Sequence, residues 1–266
     1  PPGHPRAIRY EPAVVPLSFH LGSCASSTMA SVDPIRSLCG ALTQATGGVY
    51  HVDLRMPDGI HRLAEVVDLL FGKRIVGADV RERLTLHVPA AIMVLLADPM
   101  GTYAKLACEC FASVYPRVFL CASQDGSPAS FQLWQVVTAI KERVLFTLDD
   151  GTLGARIGAV KACQRIIQAQ TKPDGDPRLQ NRAEINLNAV PPEHPFLKTE
   201  QLEAEADQVF TRLVTLLFTC KAPSLVMGVT QVLTRLARLR TKLNMVLSQA
   251  VVSWPPASRE SRAPAQ

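Results

Sequence analysis

Aromatic residues are scarce in this sequence, at 6% of 266 residues, and glycine numbers only 15. Sandwiches and barrels draw on aromatic and β-branched residues in short alternating runs, so the scarcity leans the chain toward helices. Charge is thin as well. Charged residues make up 19% and the formal net charge is +5. A dedicated nucleic-acid binder carries a basic stripe interleaved with aromatics, and none is present. The one basic cluster is Arg235, Arg238, Arg240 and Lys242. A solvated helix face is the simpler reading of it, and direct RNA contact is the alternative. No run of 18 or more apolar residues occurs, so no membrane span is expected. The stretch Ala13 to His20 is too short, and too broken by Pro16, for a secretory core.

Recognisable chemistry is also missing. There is no His-Glu-x-x-His, no Gly-x-Ser-x-Gly and no Gly-x-x-x-x-Gly-Lys. None of the six histidines (His4, His20, His51, His61, His87, His194) shares a metal-ligand spacing with a His, Cys, Asp or Glu. Cys108 and Cys110 stand two apart in a helical stretch, so their side chains diverge and cannot form half of a zinc site. Seven cysteines, an odd number at irregular spacing, argue against a disulfide framework and for a reducing compartment. Asp149 with Asp150 reads as a helix-end cap rather than a carboxylate pair, and His194, between Glu193 and Pro195, reads as structural. No catalytic residue, cofactor or metal is therefore expected.

What is present is apolar residue at helical spacing, within a chain that is 47% hydrophobic and so able to bury a core. Residues 1–32, rich in Pro, Ser and Gly, read as a disordered extension. Met29 opens Met-Ala-Ser-Val-Asp-Pro as a translation start would, which would leave residues 1–28 without a role in the fold. Asp33-Pro34 has the form of a helix start, a cap followed by Pro at the first position. Residues 48–58 alternate as a short strand would, against the helical pattern around them. Helical faces then follow at Ile60–Leu70, from Asp79, and from Pro89 to Leu96. Further ones span Gly101–Leu120, with Pro116 as a kink, and Ser127–Leu148. After the tight link Asp149-Asp150-Gly151-Thr152 comes Leu153–Thr171. Its apolar stripe is Leu153, Ile157, Val160 and Ile167, and its polar face is Lys161, Gln164, Arg165 and Gln168. Residues 172–198 form a long Pro-containing loop, read either as functional or as a floppy insertion. Thr199–Cys220, Ser224–Leu239 and Lys242–Trp254 complete the helices, with a disordered tail at 257–266. Helix, short link, helix, longer link is the rhythm of an all-α solenoid of HEAT-like antiparallel pairs, each burying its apolar face on the next.

Three ordered segments carry a family resemblance. They are Cys110-Phe-Ala-Ser-Val-Tyr-Pro-Arg-Val-Phe119, Leu148-Asp-Asp-Gly-Thr-Leu-Gly-Ala-Arg-Ile-Gly-Ala-Val-Lys-Ala-Cys163 and Pro191-Pro-Glu-His-Pro-Phe-Leu197. Trp134, Ile140-Lys141 and Asp176-Pro-Arg-Leu-Gln-Asn181 fit between them. Over residues 77–256 the chain resembles the N-terminal HEAT-repeat domain of the symplekin family, while residues 33–76 match poorly. The resemblance implies a non-enzymatic scaffold of the nuclear pre-mRNA 3′-end cleavage and polyadenylation complex, partnered by other subunits of that complex. It also implies that the concave face binds a phosphatase acting on the C-terminal domain of RNA polymerase II. A family lysine aligns with Lys161, the first expected contact. A family asparagine aligns near Arg235, so that contact becomes a charged one here. Gln164, Arg165 and Arg238 are expected partner residues from their facing direction. A generic HEAT-repeat adaptor and an RNA-binding solenoid are the rival readings.

Overall fold

A computed structural model describes residues 25–173 and 184–252, and these form ten α-helices. For residues 25–32 only the helical backbone is described. Among the described residues no strand occurs. The readings of residues 1–24, of Asp176–Asn181 and of the tail 257–266 fall outside them.

The first helix, α1 (Ala25–Thr46), starts eight residues before the Asp33-Pro34 expected start and keeps Pro34 inside it. An internal proline removes one backbone donor, and the helix tolerates that loss. It buries Ile35, Leu38 and Leu42, the face that the spacing marks. The alternating stretch that follows is not a strand. Thr43 Oγ1 accepts from Tyr50 N at 3.2 Å, and turns close at Met56 N to Asp53 O and Gly59 N to Met56 O. Tyr50, Val52 and Leu54 are half-buried against the core while His51 and Asp53 are exposed. The period of two is real, and it comes from an extended link laid on the core without a strand partner.

Helix α2 (Gly59–Val67) runs into a π-helical turn, Asp68–Gly72, and short α3 (Ala78–Leu84) follows. Helix α4 (Val88–Leu96) opens with Pro89 in its first turn, where a missing N–H is harmless. The long helices are α5 (Ala104–Gln124), α6 (Pro128–Asp150), α7 (Leu153–Gln170), α8 (Thr199–Thr219), α9 (Pro223–Leu239) and α10 (Thr241–Val252). Helix α5 is long and apolar enough to cross a membrane by length and composition. Its apolarity is accounted for by burial: Ala107, Cys108, Phe111, Tyr115, Val118, Phe119 and Ala122 are all fully enclosed.

Two layers result. Helices α5, α7 and α9 pack side by side in one, and α4, α6 and α8 lie against them in the other; the short links make α5 and α6, and α6 and α7, antiparallel neighbours. The Gly151-Thr152 link between α6 and α7 is too short for any other arrangement. Ser127 caps α6 through Ser130 N, and Thr152 caps α7 through Ala155 N. Asp149 and Asp150 do not cap as expected. Thr152 already takes that role, and Asp149 Oδ2 accepts from Arg212 Nη1 of α8 at 3.2 Å. The close approach of α5 and α7 depends on Gly158. A Cβ there would lie 3.1 Å from the Lys105 carbonyl oxygen and 3.2 Å from Cys108 Cβ.

Helix α7 is buried on more sides than its sequence suggests. Leu153 is exposed, Ile157 is half-buried, and Gln168, expected on the polar face, is buried. The reason is position, since α7 packs on α5, α6, α8 and α9 at once. Residues 184–198 are not a floppy insertion: Leu187, Val190, His194 and Leu197 are buried. His194 is structural. Its Nδ1 accepts from Leu197 N at 3.0 Å, and its ring meets Phe196 edge-on with centroids 4.5 Å apart.

Three polar devices fasten successive pairs. Lys141 on α6, 3% exposed, donates to Glu205 Oε2 of α8 at 2.6 Å and lies 4.7 Å over the Trp134 ring. Gln170 Nε2 reaches the same oxygen at 2.9 Å. Arg240, 4% exposed, clamps the ends of α7 and α9 onto Glu184. The described cysteines are all free. Burial pushes the Cys108 thiol up to about 12, with the Glu109 charge adding to it, and Cys110 and Cys163 higher still. They are packing groups, protonated at neutral pH.

Candidate partner-binding face

The outward side of the α5–α7–α9 layer gathers most of the residues singled out from sequence. On α7, positions 161, 164, 165 and 168 share one face because three- and four-residue steps return a helix to the same side. Lys161 is exposed and pairs across to α5, its Nζ 2.7 Å from Glu109 Oε1. Gln164 is half-buried beside it. Arg165, one turn on, is half-buried and donates from Nη1 to Gln168 Oε1 at 3.3 Å. On α9, Arg235 and Arg238 are exposed three residues apart, and neither forms an ion pair among the described residues.

Arg165 and Arg235 meet at a cavity of about 200 Å3, walled also by Pro116 of α5, Gln168, Glu184, Ile185 and Leu239. Partial burial holds the Arg165 guanidinium below its usual range, and the Arg235 charge adds to this, while Glu184 opposes it. Two like charges therefore face one hollow. Lys161 and Arg238 do not line this cavity. Larger clefts lie between α1, α3 and α4, about 500 Å3, and between α3 and α5, about 350 Å3. Neither holds a residue expected from sequence.

The basic cluster at the end of α9 comes apart in the structure. Arg240 is not part of a solvated face. Its Nε donates to Thr171 Oγ1 at 3.0 Å, Nη2 to Gln168 O at 3.1 Å, and the guanidinium forks onto Glu184 Oε1 and Oε2 at 3.2 and 3.3 Å. Lys242 is exposed but engaged, 3.0 Å from Asp207 Oδ2 and 3.6 Å from Glu203 Oε1. The Asp207 hydrogen bond leads in raising its ammonium above the ordinary lysine value. Of the four cations on which an RNA-binding reading relied, Arg235 and Arg238 form no ion pair among the described residues. Sequence reasoning missed Pro116, Glu184 and Ile185. The last two lie in the non-periodic segment before α8, where no spacing signal exists to find them.

An all-α solenoid of stacked helix pairs is the architecture of a helical-repeat domain. The sequence comparison defines which one. Residues 102–265 match the family model described as Symplekin/PTA1 N-terminal, so the chain belongs to that family. The chain is 28% identical over 153 residues to the mRNA cleavage and polyadenylation specificity factor complex subunit pta1 of Schizosaccharomyces pombe. That match covers 56% of this chain and 22% of the relative, so the chain corresponds to under a quarter of that protein. The family match begins at Thr102, within the link that precedes α5, and so takes in the α5–α7–α9 layer whole.

Proposed function

We propose that this chain is part of a non-enzymatic scaffold of the nuclear pre-mRNA 3′-end cleavage and polyadenylation complex. Its partners would include other subunits of that complex. The α5–α7–α9 layer would be its concave face and would hold a phosphatase of the RNA polymerase II C-terminal domain. Family membership and the relative's place in a cleavage and polyadenylation complex support the first part. The close α5–α7 contact at Gly158 supports the second, because helices crowd on the inner side of a curved stack.

The observation that carries the reading is the setting of Lys161. It is exposed and adjoins the cavity-lining Arg165 by one helical turn, and among the described residues its ammonium is held by a surface ion pair with Glu109 alone. Such a pair contributes little to folding, about 0–1 kcal/mol, so a partner carboxylate can take over the ammonium at small cost. Lys161→Ala is expected to weaken phosphatase capture by at least tenfold while circular dichroism stays helical. Unchanged capture would remove Lys161 from the interface. A generic HEAT-repeat adaptor would share the architecture but would not co-purify with cleavage and polyadenylation subunits. The RNA reading is disfavoured by the burial of Arg240 on Glu184 and by the surface ion pairs that already engage Lys242.

A further inference from the structure

We propose that the hollow between α7 and α9 is a phosphate-acceptor site that receives a phosphoserine or phosphothreonine side chain of a partner protein between Arg165 and Arg235. The inference rests on the reading of the α5–α7–α9 layer as the partner face, and it names the chemistry that one part of that face recognises.

Among the described residues, three charged side chains line the cavity: Arg165, Arg235 and Glu184. Glu184 is already committed, because both its oxygens accept from the buried Arg240 guanidinium. That pair sums to zero. Among the described residues the Arg165 guanidinium has a neutral partner, Gln168 Oε1, and neither it nor Arg235 forms an ion pair. Two positive charges thus remain around one opening. Partial burial leads in lowering the proton affinity of Arg165, and the Arg235 charge across the opening adds to it. A phosphoester carries about −1.5 to −2 at neutral pH and offers three acceptor oxygens, whereas a carboxylate would leave one charge uncompensated. Two guanidinium forks suit a phosphate, since each presents paired N–H donors to two oxygens.

The walls choose between a phosphorylated protein and RNA. Pro116, Ala169, Ile185 and Leu239 supply the apolar surface, and among the described residues no aromatic ring lines the cavity. A nucleobase would find no stacking platform. A peptide needs none, and its flanking side chains can rest on the proline and leucine.

The test uses the whole 266-residue chain with arginine Nε–Hε resonances followed by NMR. A short Gly/Ala peptide carrying one phosphoserine is titrated at pH 7.5 and at pH 5.0, beside the same peptide with Asp and beside a ten-nucleotide oligouridine. The Arg165 and Arg235 signals are expected to shift with the phosphopeptide. Its affinity should fall at least fivefold at pH 5.0, where the phosphate loses its second charge near a pKa of about 6. Arg165→Met and Arg235→Met should each weaken it at least tenfold with the helical spectrum unchanged, and Arg143→Met on exposed α6 surface should leave it unchanged. Three results would each overturn the proposal: no shift at either arginine, equal affinity for the Asp peptide, or tighter oligouridine binding at the same two signals. No partner protein enters this titration. It therefore fails independently of the phosphatase capture described above, and a failed capture leaves it readable.

Discussion

Removing the Glu205 carboxylate tests whether buried polar contacts, rather than apolar packing alone, hold one helix pair to the next. Lys141 is 3% exposed and its Nζ lies 2.6 Å from Glu205 Oε2. Burial lowers the proton affinity of this ammonium and the Glu205 charge opposes the shift, so the pair is what keeps the cation inside. Glu205→Ala strands a buried charge and also strips Gln170 Nε2 of its acceptor. Breaking a buried pair from one side costs about 3–5 kcal/mol. Glu205 itself is 30% exposed, which puts the expected loss at the lower end, about 3 kcal/mol. For a domain of this size that is a fall in Tm of roughly 6–12 °C. Lys141→Met behaves differently: it fills similar volume, keeps contact with Trp134, and leaves Glu205 with Gln170 and solvent. Its expected effect is within about 1 kcal/mol. The double variant should then recover most of the loss, with a coupling of about 2 kcal/mol. Urea denaturation followed by circular dichroism at 222 nm measures all four proteins. If Glu205→Ala costs no more than Lys141→Met, or if the two effects simply add, the pair does not fasten α6 to α8.

Two further predictions concern the core. Gly158→Ala is expected to destabilise by about 1–3 kcal/mol, because its methyl meets the Lys105 carbonyl at 3.1 Å and both belong to rigid helices. Gly154→Ala, whose nearest neighbour is the flexible Lys105 Cδ at 3.4 Å, should be neutral or slightly stabilising. Equal urea midpoints for the two variants would refute the close-approach account of α7. The second concerns alkaline pH. The folded Cys108 value is raised to about 12, with Cys110 and Cys163 also raised, against an ordinary thiol near 9. Below pH 9 both states hold the protons and the stability is fully present. Above it the unfolded chain ionises first, so stability falls by about 1.4 kcal/mol per pH unit for each such thiol until the folded value is reached. Lys141, lowered by burial, works in the opposite direction as a single group. Urea midpoints taken from pH 8.5 to 10.5 should drop, and Cys110→Ala should flatten the slope. A midpoint that holds or rises would contradict it.

Where a helix touches the core with one stripe, its sequence was sufficient. Leu225, Val229, Val232, Leu233 and Leu236 mark the inner face of α9 at helical spacing, and all five are buried. The same holds for Leu202, Ala206, Val209, Leu213 and Leu216 on α8. Periodicity reports one buried side of an element, because that side alone must be apolar. It under-reports α7, which is enclosed by four neighbours: the buried Gln168 and exposed Leu153 invert the simple stripe. The alternation at Tyr50, Val52 and Leu54 was legible too, but it could not distinguish a strand from a link laid on the core.

The candidate face divides along the same line. Facing direction on α7 and α9 follows from spacing and pointed to Gln164, Arg165 and Arg238, while the family resemblance pointed to Lys161 and Arg235. Their pairing could not be read from the sequence. Arg240 and Arg238 stand two residues apart in one basic cluster, yet the first is buried on Glu184 and the second is exposed. Glu184, 56 residues away from Arg240 in sequence, decides which cation is locked and which pair is left facing an empty hollow. By itself the sequence determined the helices, their apolar faces and the family to which they belong, because those depend on local spacing and ordered motifs. Only the tertiary structure decided which charges cancel, because a charge is cancelled by its neighbours in space and the chain order does not say who they are.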